Sequence, residues 1–433
     1  MAYRRWARMT LLLCLLAALG ACSLARRVAR LEQNRNEIER NGVIAGVVRL
    51  DDVPVPEATI ALLRLDQDKL RLVARNPAGE GGHFAFLVPQ QGRYVLLAYH
   101  DRNGNGLPDA DEAAATTGLP RGIPMGPADE VNQRFALDRH SPPLTSEVRK
   151  RLLLTEEAVA TRPLQIFAGR TATLDDARFR QDFGSKGLWA PLDFVSEMGM
   201  GVYFLEPYRA DRIPVLFVHG VGGYPQEWRK IIASLDHERF QPWVYHYPSG
   251  MRLTASGDAL GDLLMTLQQE HGYRRLIVVA HSVGGLVSRQ AIQHLARRNP
   301  QQAVMLFVTL STPWGGNVMA QLGAERAPVP IPSWQDLAPE SDFLRGLFGA
   351  ALPDTVPHQL FFGYRGGSML IQGNSDGTIA LSSQLALPAQ QGAVRVVGFD
   401  ETHSSILTSL AVADELNRVL EHAIATDRLA GKR

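Results

Sequence analysis

Cysteine is nearly absent: the 433-residue chain has two, Cys14 and Cys22, both close to its start. Beyond residue 22 this excludes a disulfide framework, a thiol nucleophile and a cysteine metal site. Net charge is almost absent as well, at +1, which leaves no electrostatic case for nucleic-acid binding. Aromatic residues make up only 7% of the chain, and no apolar run reaches the 18 or so residues that span a bilayer. What is present is ordinary globular material, 45% hydrophobic and 21% charged, in a chain long enough for two domains.

The amino terminus carries Arg4, Arg5 and Arg8, followed by the short apolar run Leu11–Leu19, which is the pattern of an export signal. It ends in Leu19-Gly20-Ala21-Cys22-Ser23, which resembles the lipobox of bacterial lipoproteins. The resemblance implies removal of residues 1–21 and acylation of Cys22 as the first mature residue. Ser23, where an aspartate would retain the protein at the inner membrane, implies the outer membrane in a Gram-negative host. Cleavage removes three arginines and no acid, so the mature charge is +1 − 3 = −2. Several acyl chains hold a protein on a membrane where one is marginal. Residues 22–41 are charged throughout, with Leu24, Val28, Leu31 and Ile38 at helical spacing. We read them as a solvated tether, with a short amphipathic helix as the alternative.

From Gly42 the texture changes to short β-patterned runs separated by turn residues, which predicts a small antiparallel β-sandwich over 42–140. Its first part, to about residue 100, resembles carboxypeptidase-regulatory-like or transthyretin-like modules, which implies a spacer or interaction domain. Asp101-Arg102-Asn103-Gly104-Asn105-Gly106-Leu107-Pro108-Asp109-Ala110-Asp111-Glu112 then fits an EF-hand loop position by position. Oxygen donors fall at Asp101, Asn103, Asn105 and Asp109, with the Leu107 carbonyl and Glu112 completing the set, and Gly106 permits the turn. We expect one structural calcium ion here. The incoming element is a strand and Pro108 removes an amide, two departures from the paired EF-hand. Residues 141–195 are read as linker or left unassigned, with a helix as the reading of Glu147–Ala160 and a strand as that of Gln165–Gly169.

The chemistry lies further on. Leu276–Ala280 is an apolar run entering His281-Ser282-Val283-Gly284-Gly285, with a helical pattern directly after it. A strand that turns sharply into a helix exposes its turn residue at the carboxyl end of a parallel sheet, and small neighbours relieve the crowding there. Upstream, Ile213–Val218 reads as a buried strand ending in His219-Gly220-Val221-Gly222-Gly223. Downstream, Gly373–Ile379 and Thr402-His403-Ser404 follow two further strands. These motifs resemble lipase-type α/β-hydrolases over about residues 200–425, with alanine in the first place of the family's G-x-S-x-G.

That resemblance implies Ser282 as nucleophile, His403 as base, Asp376 as the acid orienting it, and the amides of Val221 and Val283 as the oxyanion hole. Asp400, Asp336, Asp342 and Asp354 are rival acids. His219 and His281 are expected to orient backbone, and His246, His271 and His294 to be surface or packing residues. His219, Gly220 and Trp314 are placed at the substrate pocket, Trp314 with packing under a cap as an equal reading. The fold class expected is α/β: a doubly wound, mostly parallel sheet over 196–425, with a cap insertion at 317–356, preceded by the β-sandwich. The reaction implied is hydrolysis of acyl or lipid esters, with no cofactor for catalysis. An acyltransferase or thioesterase would use the same residues, and a non-catalytic surface-binding lipoprotein is the reading of another class.

Overall fold

A computed structural model describes residues 23–51, 58–77, 82–89, 92–126, 130–138, 140–153, 162–367 and 373–430. The signal and Cys22 lie outside the described residues. The described residues open with helix α1, residues 23–40. Strands β1 (Asn41–Asp51), β2 (Ala58–Asp66), β3 (Lys69–Pro77), β4 (His83–Pro89) and β5 (Gly92–His100) follow, then β6 (Ala114–Thr117), β7 (Ile123–Met125) and β8 (Glu130–Asp138). They form two sheets, ordered β8-β1-β4 and β6-β5-β2-β3. Ile44, Phe84 and Phe86 of the first sheet meet Ile60, Leu62 and Leu96 of the second in one core. The module is not purely antiparallel as expected, because β1 pairs in parallel with β8.

The segment expected to be linker is mostly structured. Helix α2 (Ser146–Arg151) leads into β9 (Leu152–Leu153), which pairs with β3, and β10 (Arg162–Leu164) pairs with β4. Strand β11 (Ile166–Thr171) already belongs to the second domain, followed by α3 (Gln181–Trp189) and α4 (Pro191–Glu197). The strand read at Gln165–Gly169 is thus β11, and the sheet of the second domain begins some thirty residues before the start expected at 196. Short, mixed-polarity strands such as Arg162-Pro163-Leu164 carry no periodic signal.

That domain contains β12 (Met200–Phe204), β13 (Ile213–Val218), α5 (Arg229–Ala233), β14 (Phe240–His246), α6 (Leu253–His271), β15 (Leu276–His281), α7 (Val283–Arg298) and β16 (Val304–Leu310). Then come α8 (Val318–Arg326), α9 (Pro332–Leu337), α10 (Asp342–Phe348), β17 (His358–Gly363), β18 (Ala393–Phe399) and a terminal helix, Leu410–Ala430. The sheet has eight strands in the order β11-β12-β14-β13-β15-β16-β17-β18. Pairs from β14 through β18 are parallel, and β12 runs against β14. Strand β12 lies inside the sheet with all five residues buried. Both faces are covered: Leu216 and Val218 pack with α6 and α7, whereas Val215 and Phe217 pack with α5 and the terminal helix. Strands buried on both sides must be apolar throughout, which is why the runs Ile213–Val218 and Leu276–Ala280 show no alternation.

Helices α6 and α7 are joined by charge. His294 on α7 places Nδ1 3.1 Å from Asp258 and Nε2 3.0 Å from Asp262, both on α6. Hydrogen bonds to Asp258 and then Asp262 raise the His294 pKa to about 9. Its folded value lies above the ordinary 6.5, so this contribution to stability is fully present below pH 6.5 and is lost as pH rises through 9. Denaturant unfolding of wild type and His294→Gln should therefore differ at pH 6 and converge by pH 10. A stability difference that stays constant over that range would refute the assignment.

Residues 22–41 are no solvated tether. In α1, Leu31 is 1% and Asn34 0% exposed. Leu31 packs with Val329 and Ile331, and Val28, Leu188, Trp189 and Trp334 close around them. Asn34 Oδ1 accepts the N–H groups of Leu192, at 2.8 Å, and Asp193, at 3.2 Å. Helix α4 has no cap from its own preceding residue Ala190, so Asn34 satisfies these otherwise orphaned donors from another helix. Arg30 and Arg162 both pair with the buried carboxylate of Asp193, at 2.5 and 2.9 Å. The helical alternative prevails because one face of α1 finds an apolar partner. No helix among the described residues is long and apolar enough to cross a membrane.

Candidate active site

Ser282 stands at the junction of β15 and α7 with φ 54° and ψ −130°. A side chain held at positive φ is strained, and such positions persist only where the surroundings over-determine them. Here the crowding is explicit. A Cβ on Gly284 would run into the carbonyls of Val218 and His219, and one on Gly285 into the side chain of Thr312. The small residues after the serine are thus required by contact with the neighbouring strand end and loop.

His403 reaches this serine from the loop after β18. Its Nε2 lies 3.0 Å from Ser282 Oγ and its Nδ1 2.7 Å from Asp376 Oδ2. Asp376 is buried, and its other oxygen accepts the amides of Thr378 at 2.9 Å and Ile379 at 2.7 Å. The His403 amide also donates to the Asp376 carbonyl at 2.9 Å, tying the two loops together. Burial opposes ionisation of Asp376, but the hydrogen bond from His403 and the two amides outweigh it and hold its pKa below the ordinary value. None of the rival acids is placed like this. Asp336 accepts the Leu253 amide at 2.7 Å, Asp342 pairs with Arg345, and Asp400 and Asp354 are exposed.

The loop after β13 touches the nucleophile: a Cβ on Gly220 would come within 2.8 Å of Ser282 Cβ and 3.2 Å of its Oγ. The Gly220 carbonyl is held by the Gly223 amide at 3.1 Å and by His219 Nδ1 at 2.9 Å. A trans peptide points its N–H opposite to its C=O, so these bonds also aim the amide of Val221 away from them. No backbone carbonyl among the described residues accepts that amide. Val283 is the first residue of α7, and its N–H has no acceptor within the helix.

Two buried histidines fix this frame. Burial lowers the His219 pKa to about 4, so the ring is neutral. The Tyr247 amide donates to Nε2 at 3.4 Å, which leaves the proton on Nδ1 to donate to Gly220. His281 is likewise neutral, its pKa lowered to about 3 chiefly by burial, and its Nε2–H donates to the His403 carbonyl at 2.9 Å. Sequence reasoning missed Ser249, whose Oγ accepts the Gly222 amide at 2.8 Å. Its signal was Pro248-Ser249-Gly250, a turn at the carboxyl end of β14. Of the other histidines, His246 is buried between Phe179 and Phe194, and His271 lies against Phe204 and Tyr208.

Trp314 is 2% exposed, packed against Phe307, His358 and Phe348 of α10, which is the packing reading. The insertion around it is docked. Leu337, Leu344 and Leu347 join the main core, and Arg289 and Gln293 of α7 both donate to the carbonyls of Leu347 and Ala350 at the end of α10.

The calcium-type loop lies between β5 and β6, closed on itself. Asp101 Oδ2 accepts the Gly106 backbone amide at 2.8 Å, and the side-chain Nδ2 groups of Asn103 and Asn105 donate to Asp109 Oδ2 at 2.7 and 2.8 Å. Buried Glu112 accepts the amides of Arg102, at 2.8 Å, and Asp109, at 2.9 Å. No group of three or more histidine, cysteine or acidic side chains among the described residues is arranged to hold a metal. Asp101 Oδ1, buried and without a hydrogen-bond partner, is the one predicted ligand atom so placed.

Residues 211–331 match a family described as "Putative serine esterase (DUF676)". This stretch carries both the loop after β13 and Ser282, and the match supports ester hydrolysis by a serine hydrolase. No curated protein matches the chain. Among solved structures, the mature lipase BlEst2 of Bacillus licheniformis is 21% identical, covering 47% of this chain and 89% of its own at a TM-score of 0.37. Lipase B of Aspergillus fumigatus is 16% identical over 49% of this chain and 54% of its own, at 0.37. Phospholipase PlaB of Legionella pneumophila, solved with thio-NAD, is 17% identical over 40% and 43%, at 0.33.

Proposed function

We propose that this protein cleaves carboxylic esters of acyl or lipid type through an acyl-enzyme, on a membrane to which Cys22 anchors it. One observation carries the chemistry: a strained serine whose Oγ lies 3.0 Å from a histidine that a buried carboxylate holds at 2.7 Å. In this reading His403 Nε2 takes the proton of Ser282 as Oγ attacks the ester carbonyl. Asp376 keeps the proton on Nδ1 and stabilises the imidazolium. The amides of Val221 and Val283 receive the oxyanion, in a dry site where each donor is worth about 2.7–4 kcal/mol. The imidazolium then protonates the leaving alcohol, and water, deprotonated by His403, releases the acid.

A fluorophosphonate probe tests this directly. Wild type is expected to be labelled on Ser282, and Ser282→Ala is not. Labelling that persists in the variant, or none in wild type, would overturn the hydrolase reading.

The loop 101–112 is proposed to take calcium, with Asp101 Oδ1 as the first ligand. The asparagine amides must turn to present oxygen, which costs their bonds to Asp109. A weak site, with a dissociation constant of about 10⁻⁴–10⁻³ M, follows. Millimolar calcium is expected to raise the melting temperature of wild type and not of Asp101→Asn; equal responses would dispose of the site.

A further inference from the structure

The region between the anchoring cysteine and the β module is a docked helix, and what it docks on is the rim of the active site. Residues 23–40, which follow Cys22 in the sequence, are helical and form α1. Its first five residues are exposed, including Leu24 at 52%, with Arg26 and Arg27 beside it. From Val28 onward it is seated. Val28 and Leu31 lie in the cluster of Leu188 and Trp189 from α3 with Val329, Ile331 and Trp334 from the insertion. Trp189 and Trp334 meet edge to face at 6.1 Å.

Helix α3 in turn lies against the loop after β13. A Cβ on Gly184 would strike the carbonyls of Gly222 and Gly223, and one on Gly222 would reach Leu188 at 3.8 Å. The Gly250 amide donates to the Gly187 carbonyl at 3.0 Å, next to the Ser249 that holds Gly222. Helix α3 therefore lies between α1 and the proposed oxyanion loop, and α1 packs directly on the insertion. Asn34 and Arg30, bonded to α4, stop the helix from sliding or rotating.

We infer that α1 is a rigid mount that turns the catalytic rim toward the membrane holding Cys22, so that the substrate is an acyl ester lying in that same membrane. This rests on the anchored ester hydrolase proposed above. The geometric difference from a tether is large. A disordered segment over residues 22–41 would let the catalytic domain wander by roughly 25 Å and face any direction. With α1 seated, at most about 21 Å of extended chain separates Cys22 from Val28, and Val28 is already in contact with the rim cluster. The exposed start of the helix, apolar at Leu24 and cationic at Arg26 and Arg27, suits the headgroup layer of an anionic phospholipid surface.

The test uses the acylated full-length protein in vesicles of phosphatidylcholine with phosphatidylglycerol. A fluorogenic long-chain acyl ester is placed either in the same vesicles or in separate ones, and p-nitrophenyl butyrate reports the site in solution. Wild type is expected to cleave the same-vesicle ester at least tenfold faster than the separate-vesicle ester. Inserting twenty Gly/Ser residues between Cys22 and Ser23 should narrow that ratio at least tenfold and leave p-nitrophenyl butyrate turnover unchanged. Leu31→Asp should do the same by unseating the helix; if it fails to fold, the insertion decides alone. An unchanged ratio after the insertion, equal rates in wild type, or no cleavage of either vesicle-borne ester would overturn the inference. Absence of fluorophosphonate labelling would overturn the hydrolase reading itself. Normal labelling with an unmodified Cys22 by intact mass would overturn the mount alone.

Discussion

Asp376→Asn is expected to lower kcat for ester hydrolysis by about four orders of magnitude, with KM and melting temperature close to wild type. The carboxylate accepts from His403 Nδ1 at 2.7 Å while its second oxygen takes the amides of Thr378 and Ile379. Asparagine fits the space and can keep its oxygen on those two amides, which turns its NH₂ toward His403. Nδ1 must then accept, the proton moves to Nε2, and the ring no longer presents a lone pair to Ser282. The loss is one of tautomer, so raising the pH should not restore the rate. Steady-state kinetics from pH 5 to 9 check this. A fall of tenfold or less would mean that Asp376 is not the group that sets the tautomer.

The second large effect is expected at a residue that never touches the reacting carbonyl. His219→Ala should reduce kcat about 10²–10³-fold with little change in KM, the loss seen when one oxyanion donor is removed. His219 Nδ1 holds the Gly220 carbonyl at 2.9 Å, and through the planar peptide that bond directs the Val221 amide. Without it only the Gly223 amide still holds that carbonyl, so the peptide is less firmly fixed and the donor is misaimed although the residue bearing it is unchanged. His219→Asn, which keeps a short side-chain donor, should recover part of the rate, whereas His219→Phe should not. Equal losses in Asn and Phe variants, tracking stability alone, would assign His219 to packing with Tyr247.

The site was legible in the sequence because its parts are punctuated by residues that backbone geometry demands. Gly284 and Gly285 mark close approach, the glycines after His219 mark a loop that must touch Ser282, and buried strands deliver each motif to one edge of the sheet. Asp376 and His403 could be paired through their order relative to these strands, although 27 residues separate them. Other features had no local signal. Asn34 reads as one polar residue among many in a charged segment, and its burial depends on α4 lacking a cap. Strand β10 is three residues long and is specified by its partner β4 rather than by its own composition. Leu31 belonged to a helical pattern, but an apolar stripe does not say what will cover it. The EF-hand resemblance at 101–112 predicted ligand types by position; how those side chains hydrogen-bond to one another is a property of the folded loop.

The cap that Asn34 places on α4 also bears on how the chain is made. Its partners Leu192 and Asp193 lie 158 and 159 residues further on. During synthesis α1 therefore emerges early, and its apolar stripe stays uncovered until the whole β module and the start of the second domain have followed. A helix short of its partners is a marginal structure in water and an adhesive one. The order in which this chain appears thus opposes the order in which its contacts close. Helix α1 must wait for the second-domain helix that it will finally cap.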